Sequence, residues 1–435
     1  MKILLLHPPM DSNIQALRRT EGMGMGYITA VLRSDGHEVE MLDAFLRRMN
    51  IRETIAEVKN RNFDCLGITA YDVHKQNVIT LAKEIRKQKK NVLITVGGYL
   101  PTFTAEKLLQ AAPEIDFLVR GEGETTAIEV FRKISKGEDW RDTPGIAYLK
   151  DGAPVLNPLP PLIENLDSLP FPARDERKKA GDGPALIVGS RGCNHRCSFC
   201  AIPSFYALSG GKLPRHRSPS NIIDEMEHVI AETGIREFVF ADDNFIGPGS
   251  KNRERVEQFV RELRQRKLEV TFTIEARVDE IDEDILRQLK EVGLTRVFMG
   301  VESGVQRQLD TYKKGVTVEQ NKRAIELVQK LGLNYYIGMI FLDPYVTLSE
   351  LAENIEFARK YKLPDGKNSL LIATSKLTLY GGVPIIEQLR KEGLLRERGM
   401  DLDYVYKDPV FRCVNGIVNL ISAPFRFFNR ICSRS

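Results

Sequence analysis

The chain has 435 residues, 42% of them hydrophobic and 28% charged, with 63 Lys and Arg set against 59 Asp and Glu. That length predicts two sizeable cores with an appendage. A formal net charge of +4 gives no case for a nucleic-acid partner, six cysteines are too sparse for a disulfide scaffold, and no run reaches the roughly 18 to 20 apolar residues of a membrane span.

The opening run, Met1-Lys-Ile-Leu-Leu-Leu-His-Pro-Pro, is stopped by Pro8 and Pro9 with no small-residue cleavage site behind it, so it reads as a first strand and a cytoplasmic location is expected. From there to residue 148 short apolar runs alternate with helical patterns: Ile3 to Leu6, Glu38 to Leu42, Cys65 to Thr69, Val92 to Val96 and Phe117 to Val119. Five βα units predict an α/β, doubly wound parallel sheet, with its ligand at the carboxyl ends of the strands. That edge carries His7-Pro-Pro, Thr69-Ala-Tyr-Asp, Gly97-Gly98-Tyr and Arg120-Gly121-Glu122-Gly-Glu124. On residue pattern alone, this is a flavodoxin-like module whose glycines make tight turns.

Residues 149–184 change character, with Pro154, Pro158, Pro160, Pro161, Pro170 and Pro172 followed by the charged run Arg174 to Lys179. Prolines at this density predict a stiff, extended connector. A second domain is expected over residues 185–395, where apolar runs at Leu186 to Val188, Glu237 to Phe240, Thr271 to Ile274, Arg296 to Met299, Asn334 to Phe341 and Leu371 to Leu377 are separated by amphipathic helices. Six such units suit a partial TIM-like barrel.

Just after the first of these strands comes Arg191-Gly-Cys-Asn-His-Arg-Cys-Ser-Phe-Cys-Ala201. Cys193, Cys197 and Cys200 satisfy three irons of a [4Fe-4S] cube and leave one open for a ligand. A zinc site, with His195 as an awkward fourth ligand, and a disulfide framework are the competing readings.

The C-x3-C-x2-C spacing, with Phe199 before the last cysteine, closely resembles the cluster loop of radical S-adenosylmethionine enzymes. The resemblance implies that S-adenosylmethionine chelates the open iron and is cleaved by one electron to a 5'-deoxyadenosyl radical, with a reductant protein such as flavodoxin or ferredoxin supplying that electron. It also implies a (β/α)6 barrel whose rim carries cofactor-binding residues. Asp242 and Asp243 in Phe240-Ala-Asp-Asp-Asn-Phe245 and Glu302 in Gly300-Val-Glu-Ser-Gly304 match family segments, and Glu275-Ala-Arg277 adds a carboxylate and a cation to the same rim. Read without the family, each acid could merely cap a turn or a helix. Gly338-Met-Ile-Phe-Leu-Asp-Pro344 and Leu379-Tyr-Gly-Gly-Val-Pro384 depart from the family pattern at the adenine and substrate side.

The first domain resembles the cobalamin-binding domains fused ahead of such barrels, which implies cobalamin contacts at Gly97, Gly98, Gly121 and Glu122. Asp72-Val-His74 looks like the start of the cobalt-ligating Asp-x-His-x-x-Gly motif, but it follows the third strand and its sixth position is Asn77. His74 is therefore expected to be an ordinary loop or helix-start residue. The pairing of cobalamin with a radical barrel implies methyl transfer to an unactivated carbon of a small-molecule or lipid-like substrate. Cyclisation, rearrangement or oxidation is the alternative, and a noncatalytic cluster or cobalamin sensor is the reading from another class. A transfer-RNA methylthiotransferase would bring three further cysteines in its first domain, which here offers only Cys65.

Residues 396–435 form an extension whose tail, Pro409 to Ser435, carries Arg412, Arg426, Arg430 and Arg434 and no acid. Its apolar residues recur at helical spacing, which suits either peripheral contact with an anionic membrane or packing against the barrel.

Overall fold

The structure, a computed structural model, describes residues 1–10, 20–180, 183–361 and 376–416. The chain divides into two compact units: Met1–His195 with Ala201–Ala276 and Glu280–Val297, and Arg196–Cys200 with Arg277–Asp279 and the chain from Phe298 onward.

The N-terminal domain is the expected parallel sheet. Strands β1 (Lys2–His7), β2 (Glu38–Asp43), β3 (Cys65–Thr69), β4 (Leu93–Gly97) and β5 (Phe117–Val119) lie in the order β2-β1-β3-β4-β5, every pair parallel. Helices α1 (Met23–Ser34), α2 (Ile51–Lys59), α3 (Lys75–Gln88), α4 (Tyr99–Ala111) and α5 (Gly123–Lys136) make the crossovers. Ile3, Leu4, Leu5 and Leu6 are all buried, as an unbroken apolar run must be when helices cover both faces of a sheet. The order reverses between β1 and β3, so the crevice at their carboxyl ends is where such a sheet takes its ligand.

The sheet continues beyond residue 148. Strands β6 (Ile146–Lys150) and β7 (Ala153–Leu156) add an antiparallel hairpin next to β5, turned at Asp151 and Gly152 with φ of 54° and 79°. The segment expected to open the linker is thus an edge strand, a position where Pro154 costs no ladder bond that the core needs. The connector proper runs from Asn157 through the short helix α6 (Asp175–Ala180). At its end Arg174 is 4% exposed and donates to Glu21 of the N-terminal domain, to the Leu186 carbonyl (2.6 Å) and to Glu225 (2.5 Å).

The second domain begins with β8 (Ala185–Ile187) and a two-residue ribbon of β9 (Ser190–Arg191) and β10 (Arg215–His216), with α7 (Ile202–Ala207) between them. Then come α8 (Pro219–Thr233), β11 (Glu237–Phe240), α9 (Ser250–Arg266), β12 (Thr271–Arg277), α10 (Glu283–Glu291), β13 (Leu294–Glu302), α11 (Gln306–Thr311), α12 (Val318–Lys330), β14 (Asn334–Met339), α13 (Leu348–Lys360) and α14 (Ile385–Lys391). The sheet order is β14-β13-β12-β11-β8, with parallel pairing of β11 to both β8 and β12. A hairpin, β15 (Leu395–Arg398) and β16 (Asp401–Tyr404), follows.

Chemistry at the element ends explains the helix starts. Ser218 caps α8 by accepting from the Asn221 amide with Pro219 at the first turn, and Thr317 and Thr347 form capping boxes with Gln320 and Glu350. Behind β11 and β12, Phe240, Phe245, Phe259 and Phe272 pack edge to face with centroids 4.7 to 5.9 Å apart, which anchors α9 on the sheet.

Of the expected sixth strand, residues 371–375 lie outside the described residues, while Lys376 bridges Leu342 in parallel. Most of the basic tail, residues 417–435, also lies outside them. In its described part Phe411 is buried against Tyr406 (4.8 Å), and Val410 and Val414 are exposed. Among the described residues no helix is long and apolar enough to cross a membrane.

Candidate active site

The glycine between β9 and the first cysteine is required by its backbone. Gly192 has φ of 89°, and a Cβ there would stand 2.6 Å from Leu213 Cδ2. The Gly192 amide donates to Asp243 at 2.9 Å. Burial pushes the Asp243 carboxyl up to about 6, with the neighbouring Asp242 adding to the rise and the Gly192 hydrogen bond opposing it. Asp242, 1% exposed, accepts from the Gly189 amide (2.9 Å) and the Ser190 hydroxyl (2.5 Å), so its carboxylate fixes the turn from β8 into the loop. Glu275 is exposed at the end of β12, and its carbonyl receives the Phe245 amide at 2.9 Å.

His195, the fourth ligand that a zinc site would need, has its Nε2 engaged elsewhere. Its Nε2 lies 3.0 Å from Glu280 Oε1, and the other oxygen of Glu280 accepts from Asn244 at 2.7 Å. Cys65, Cys193, Cys197, Cys200 and Cys413 form no disulfide, and among the described residues no three His, Cys, Asp or Glu converge as they would on a single ion.

In the second compact unit, Cys197 is 7% exposed and its sulfur accepts from Arg277 Nη1 at 3.6 Å. The same guanidinium is held by Asp279 (3.0 Å) and the Lys314 carbonyl (2.7 Å). A buried cation on a thiol is the donor chemistry that a thiolate ligand of an anionic cluster calls for, so Cys197 suits a [4Fe-4S] cube. Ser198, between the last two cysteines, is gripped from three sides: its amide donates to the Tyr312 carbonyl (2.8 Å), its hydroxyl to the Thr311 carbonyl (2.9 Å), and its carbonyl accepts from the Ile385 amide (2.8 Å). Phe199 meets Tyr312 edge to face at 5.6 Å.

Glu302 ends β13 with a φ of 64°, and its carboxylate pairs with Lys314 at 3.0 Å. Gly300 leaves room for that pair, because a Cβ on it would lie 2.7 Å from Glu302 Oε1 and 2.8 Å from Lys314 Nζ. Further along, Asp343 accepts from the Tyr312 hydroxyl (2.6 Å), Gln308 (2.7 Å) and the Tyr345 amide (2.6 Å), all in the interior. Asp343 sits where the family pattern departs, and its bond to Tyr312 supports the loop at Ser198.

In the N-terminal domain, Gly98 has φ of 107°, and a Cβ there would strike the Ala70 carbonyl oxygen at 2.8 Å. Thr102 ties the two glycine turns together, donating to the Gly98 carbonyl (2.7 Å) and accepting from the Gly121 amide (3.0 Å). Gly97 carries no such crowding. The carboxyl edge therefore has bare backbone at β4 and β5, flanked by Tyr71 stacked on Tyr99 (5.8 Å), which fits a large cofactor with apolar edges. His7 pairs with Asp43 at 2.9 Å. His74 is fully buried, its Nδ1 accepts from the Tyr71 amide (3.1 Å), and burial lowers its pKa to about 3, with His7 adding to the fall. His74 closes a 3-10 turn, Asp72–His74, that leads directly into α3.

Glu122 is 8% exposed, and both its oxygens are taken by Arg191, Arg215 and the Ile163 amide at 2.8 to 3.0 Å. Its carboxylate is thus occupied by donors of the chain itself. Glu122's arginines, Glu280, Tyr312, Lys314 and Asp343 were not singled out by sequence, since isolated polar residues paired across long separations leave no periodic signal.

Residues 187–358 match the Radical SAM superfamily and residues 15–131 the B12 binding domain. An uncharacterized methyltransferase of Pyrococcus horikoshii is 32% identical over 83% of this chain and 78% of its own, and the anaerobic magnesium-protoporphyrin IX monomethyl ester cyclase of Rubrivivax gelatinosus is 30% identical over 85% of this chain and 67% of its own. Among solved structures, the cobalamin-dependent S-adenosylmethionine radical enzyme OxsB, with aqua-cobalamin and S-adenosylmethionine bound, superposes with a TM-score of 0.79 at 21% identity, covering 97% of this chain and 66% of that one. A cluster loop behind the first barrel strand, a parallel sheet of the expected order ahead of it, and this extent of likeness lead to one assignment: the chain belongs to the cobalamin-binding radical S-adenosylmethionine enzymes, with a [4Fe-4S] cluster, S-adenosylmethionine and cobalamin as its cofactors.

Proposed function

We propose that the chain is a methyltransferase that uses cobalamin and radical chemistry to methylate an unactivated carbon of a small-molecule substrate. The observation that carries this reading is a continuous aromatic stack. Tyr71 after β3 lies on Tyr99 after β4 at 5.8 Å, and Tyr99 lies on Phe205 of α7 at 4.3 Å. It links the ligand edge of the B12-type sheet to the helix that starts two residues beyond Cys200, as a reaction shared by the two domains requires.

When bound, the cube supplies one electron to S-adenosylmethionine and the corrin supplies a methyl carrier. The residues of this chain do the positioning. Cys193, Cys197 and Cys200 ligate, and Arg277 offsets negative charge at Cys197. Glu302 and Lys314, of opposite sign and 3.0 Å apart, complement the ammonium and carboxylate of the amino-acid end of S-adenosylmethionine. Asp243 and Glu275 offer further carboxylates on the rim, and Gly97, Gly98 and Gly121 admit the corrin edge. The electron donor is a small reductant protein of the flavodoxin or ferredoxin class.

Reduced protein loaded with all three cofactors should release both 5'-deoxyadenosine and S-adenosylhomocysteine when given extracts of cells lacking the gene, and one extract component should gain 14 mass units. Release of 5'-deoxyadenosine without S-adenosylhomocysteine would reject methylation. It would favour the second reading, ring closure or oxidation, to which the cyclase relative's coverage of 85% of the chain lends support. Release of neither would point to a sensor.

A further inference from the structure

The Gly121-Glu-Gly-Glu124 turn lies at the ligand edge of the N-terminal sheet, and its two acids accept from donors of the chain itself. Glu122 meets four donors: Arg191 Nη1 at 3.0 Å, Arg215 at 2.8 and 2.9 Å in a two-pronged grip, and the Ile163 amide at 3.0 Å. A carboxylate offers about four lone-pair directions, so Glu122 is saturated. Glu124, 5% exposed, takes the other side of Arg191 at 2.6 Å.

Arg191 and Arg215 are directly opposed partners in the β9–β10 ribbon. Two like charges facing each other across strands repel, so the ribbon closes only because the two acids neutralise it. Arg191 also lies over Tyr27 at 5.1 Å, and Arg215 over Tyr206 at 5.2 Å, so each guanidinium is held on a ring face as well as at its edge. The next residue, Gly192, is fixed through its amide to Asp243, and the one after it is Cys193.

We propose that the Gly121-Glu-Gly-Glu124 turn is a clamp on the entrance of the cluster loop: Glu122 and Glu124 are positioning residues that set Cys193 through Arg191, so the cobalamin-binding domain is part of the cluster's support. A ligand's outer partners commonly matter nearly as much as the ligands themselves. The inference concerns the cluster and the corrin alone, and it stands or falls apart from the choice between methylation and another radical reaction.

The test uses the full-length, anaerobically reconstituted chain and the variants Glu122→Gln and Glu124→Gln, which keep shape and remove charge. Each should bind hydroxocobalamin as the parent does, which also reports that the N-terminal domain is folded. Each should lose iron to a chelator about tenfold faster or more, and should weaken the change that S-adenosylmethionine produces in the electron-spin spectrum of the reduced cluster. Arg191→Lys, which keeps one charge but not the fork, should fall between parent and variants. A variant that loses cobalamin affinity while its cluster behaves like the parent's would overturn the clamp and return the turn to the corrin site. Parent-like behaviour on both counts would overturn it as well. If Glu122→Gln does not fold, Glu124→Gln, which removes only one of Arg191's two carboxylates, decides the matter.

Discussion

Replacing His74 by asparagine should make the N-terminal domain less sensitive to mild acid. The imidazole is fully enclosed and its Nδ1 accepts from the Tyr71 amide, so the neutral ring carries its proton on Nε2, which has no hydrogen-bond partner among the described residues; a second proton would have to sit on Nδ1, facing the Tyr71 N–H and away from water. Its pKa in the folded chain, about 3, lies below the ordinary 6.5. The unfolded chain therefore takes up a proton that the folded one refuses, and the stability present above about pH 6.5 is lost as the pH falls toward 3. Between about pH 7.5 and 5.5 this residue alone removes about 1.4 kcal/mol. The His74→Asn side chain would not titrate, and its amide oxygen can still accept from Tyr71. The assay is urea unfolding at both pH values, followed through Trp140, the sole tryptophan, which packs on Phe117 (4.9 Å) within the same domain. Equal acid sensitivity in parent and variant would refute the reasoning. The same variant should bind cobalamin normally, and the electron-spin spectrum of the reduced corrin should lack a histidine nitrogen on cobalt in both proteins.

Alanine at any one of Cys193, Cys197 or Cys200 should abolish the cube, read as loss of iron, sulfide and the brown absorption; three variants that retain full iron and still cleave S-adenosylmethionine would overturn the ligand assignment. Gly98→Ala should destabilise the N-terminal domain by about 1 to 3 kcal/mol and weaken cobalamin binding, because its Cβ would meet the Ala70 carbonyl oxygen at 2.8 Å; a parent-like unfolding midpoint would refute the steric argument. Tyr312→Phe removes a buried hydrogen bond to Asp343 and should cost about 1.5 to 3 kcal/mol in the cluster-containing protein, measured by thermal unfolding, with Asp343→Asn as the paired variant that separates the lost bond from the lost charge.

Much of the architecture could be read directly. The apolar run before Pro8 and the four apolar segments that follow it mark β1 to β5, because strands covered by helices on both faces are dominated by hydrophobic residues. The C-x3-C-x2-C triplet is legible because three thiols close together in the chain carry their proximity in their spacing. The β6–β7 hairpin is harder to see, since Asp151-Gly152 and Pro154 have the composition of a linker and only pairing with β5 makes them sheet. The rim acids show the deeper difficulty. Asp242, Asp243 and Glu302 stand out by motif, but whether a carboxylate accepts from a neighbouring turn, as Asp242 does, or pairs with one cation, as Glu302 does, depends on groups removed from it in the chain. Tyr312 and Asp343, 31 residues apart, have no local pattern at all.

The buried Arg174 has a consequence for how this enzyme can be rebuilt. It joins Glu21, from the N-terminal domain, to Glu225, on the first long helix of the barrel, and Glu225 is shared with Arg217. A charge network that draws one member from each segment cannot be inherited piecemeal: a junction behind Arg174 would leave the barrel's Glu225 with one arginine in place of two, while a junction ahead of it would keep both arginines in the barrel piece but leave Arg174 without Glu21, and a transplanted N-terminal partner would bring Glu21 without its counter-ion. Chimaeras in this family should therefore be cut within 157–173, ahead of Arg174, only when position 21 of the incoming partner is also an acid; otherwise the cassette must extend through Glu225.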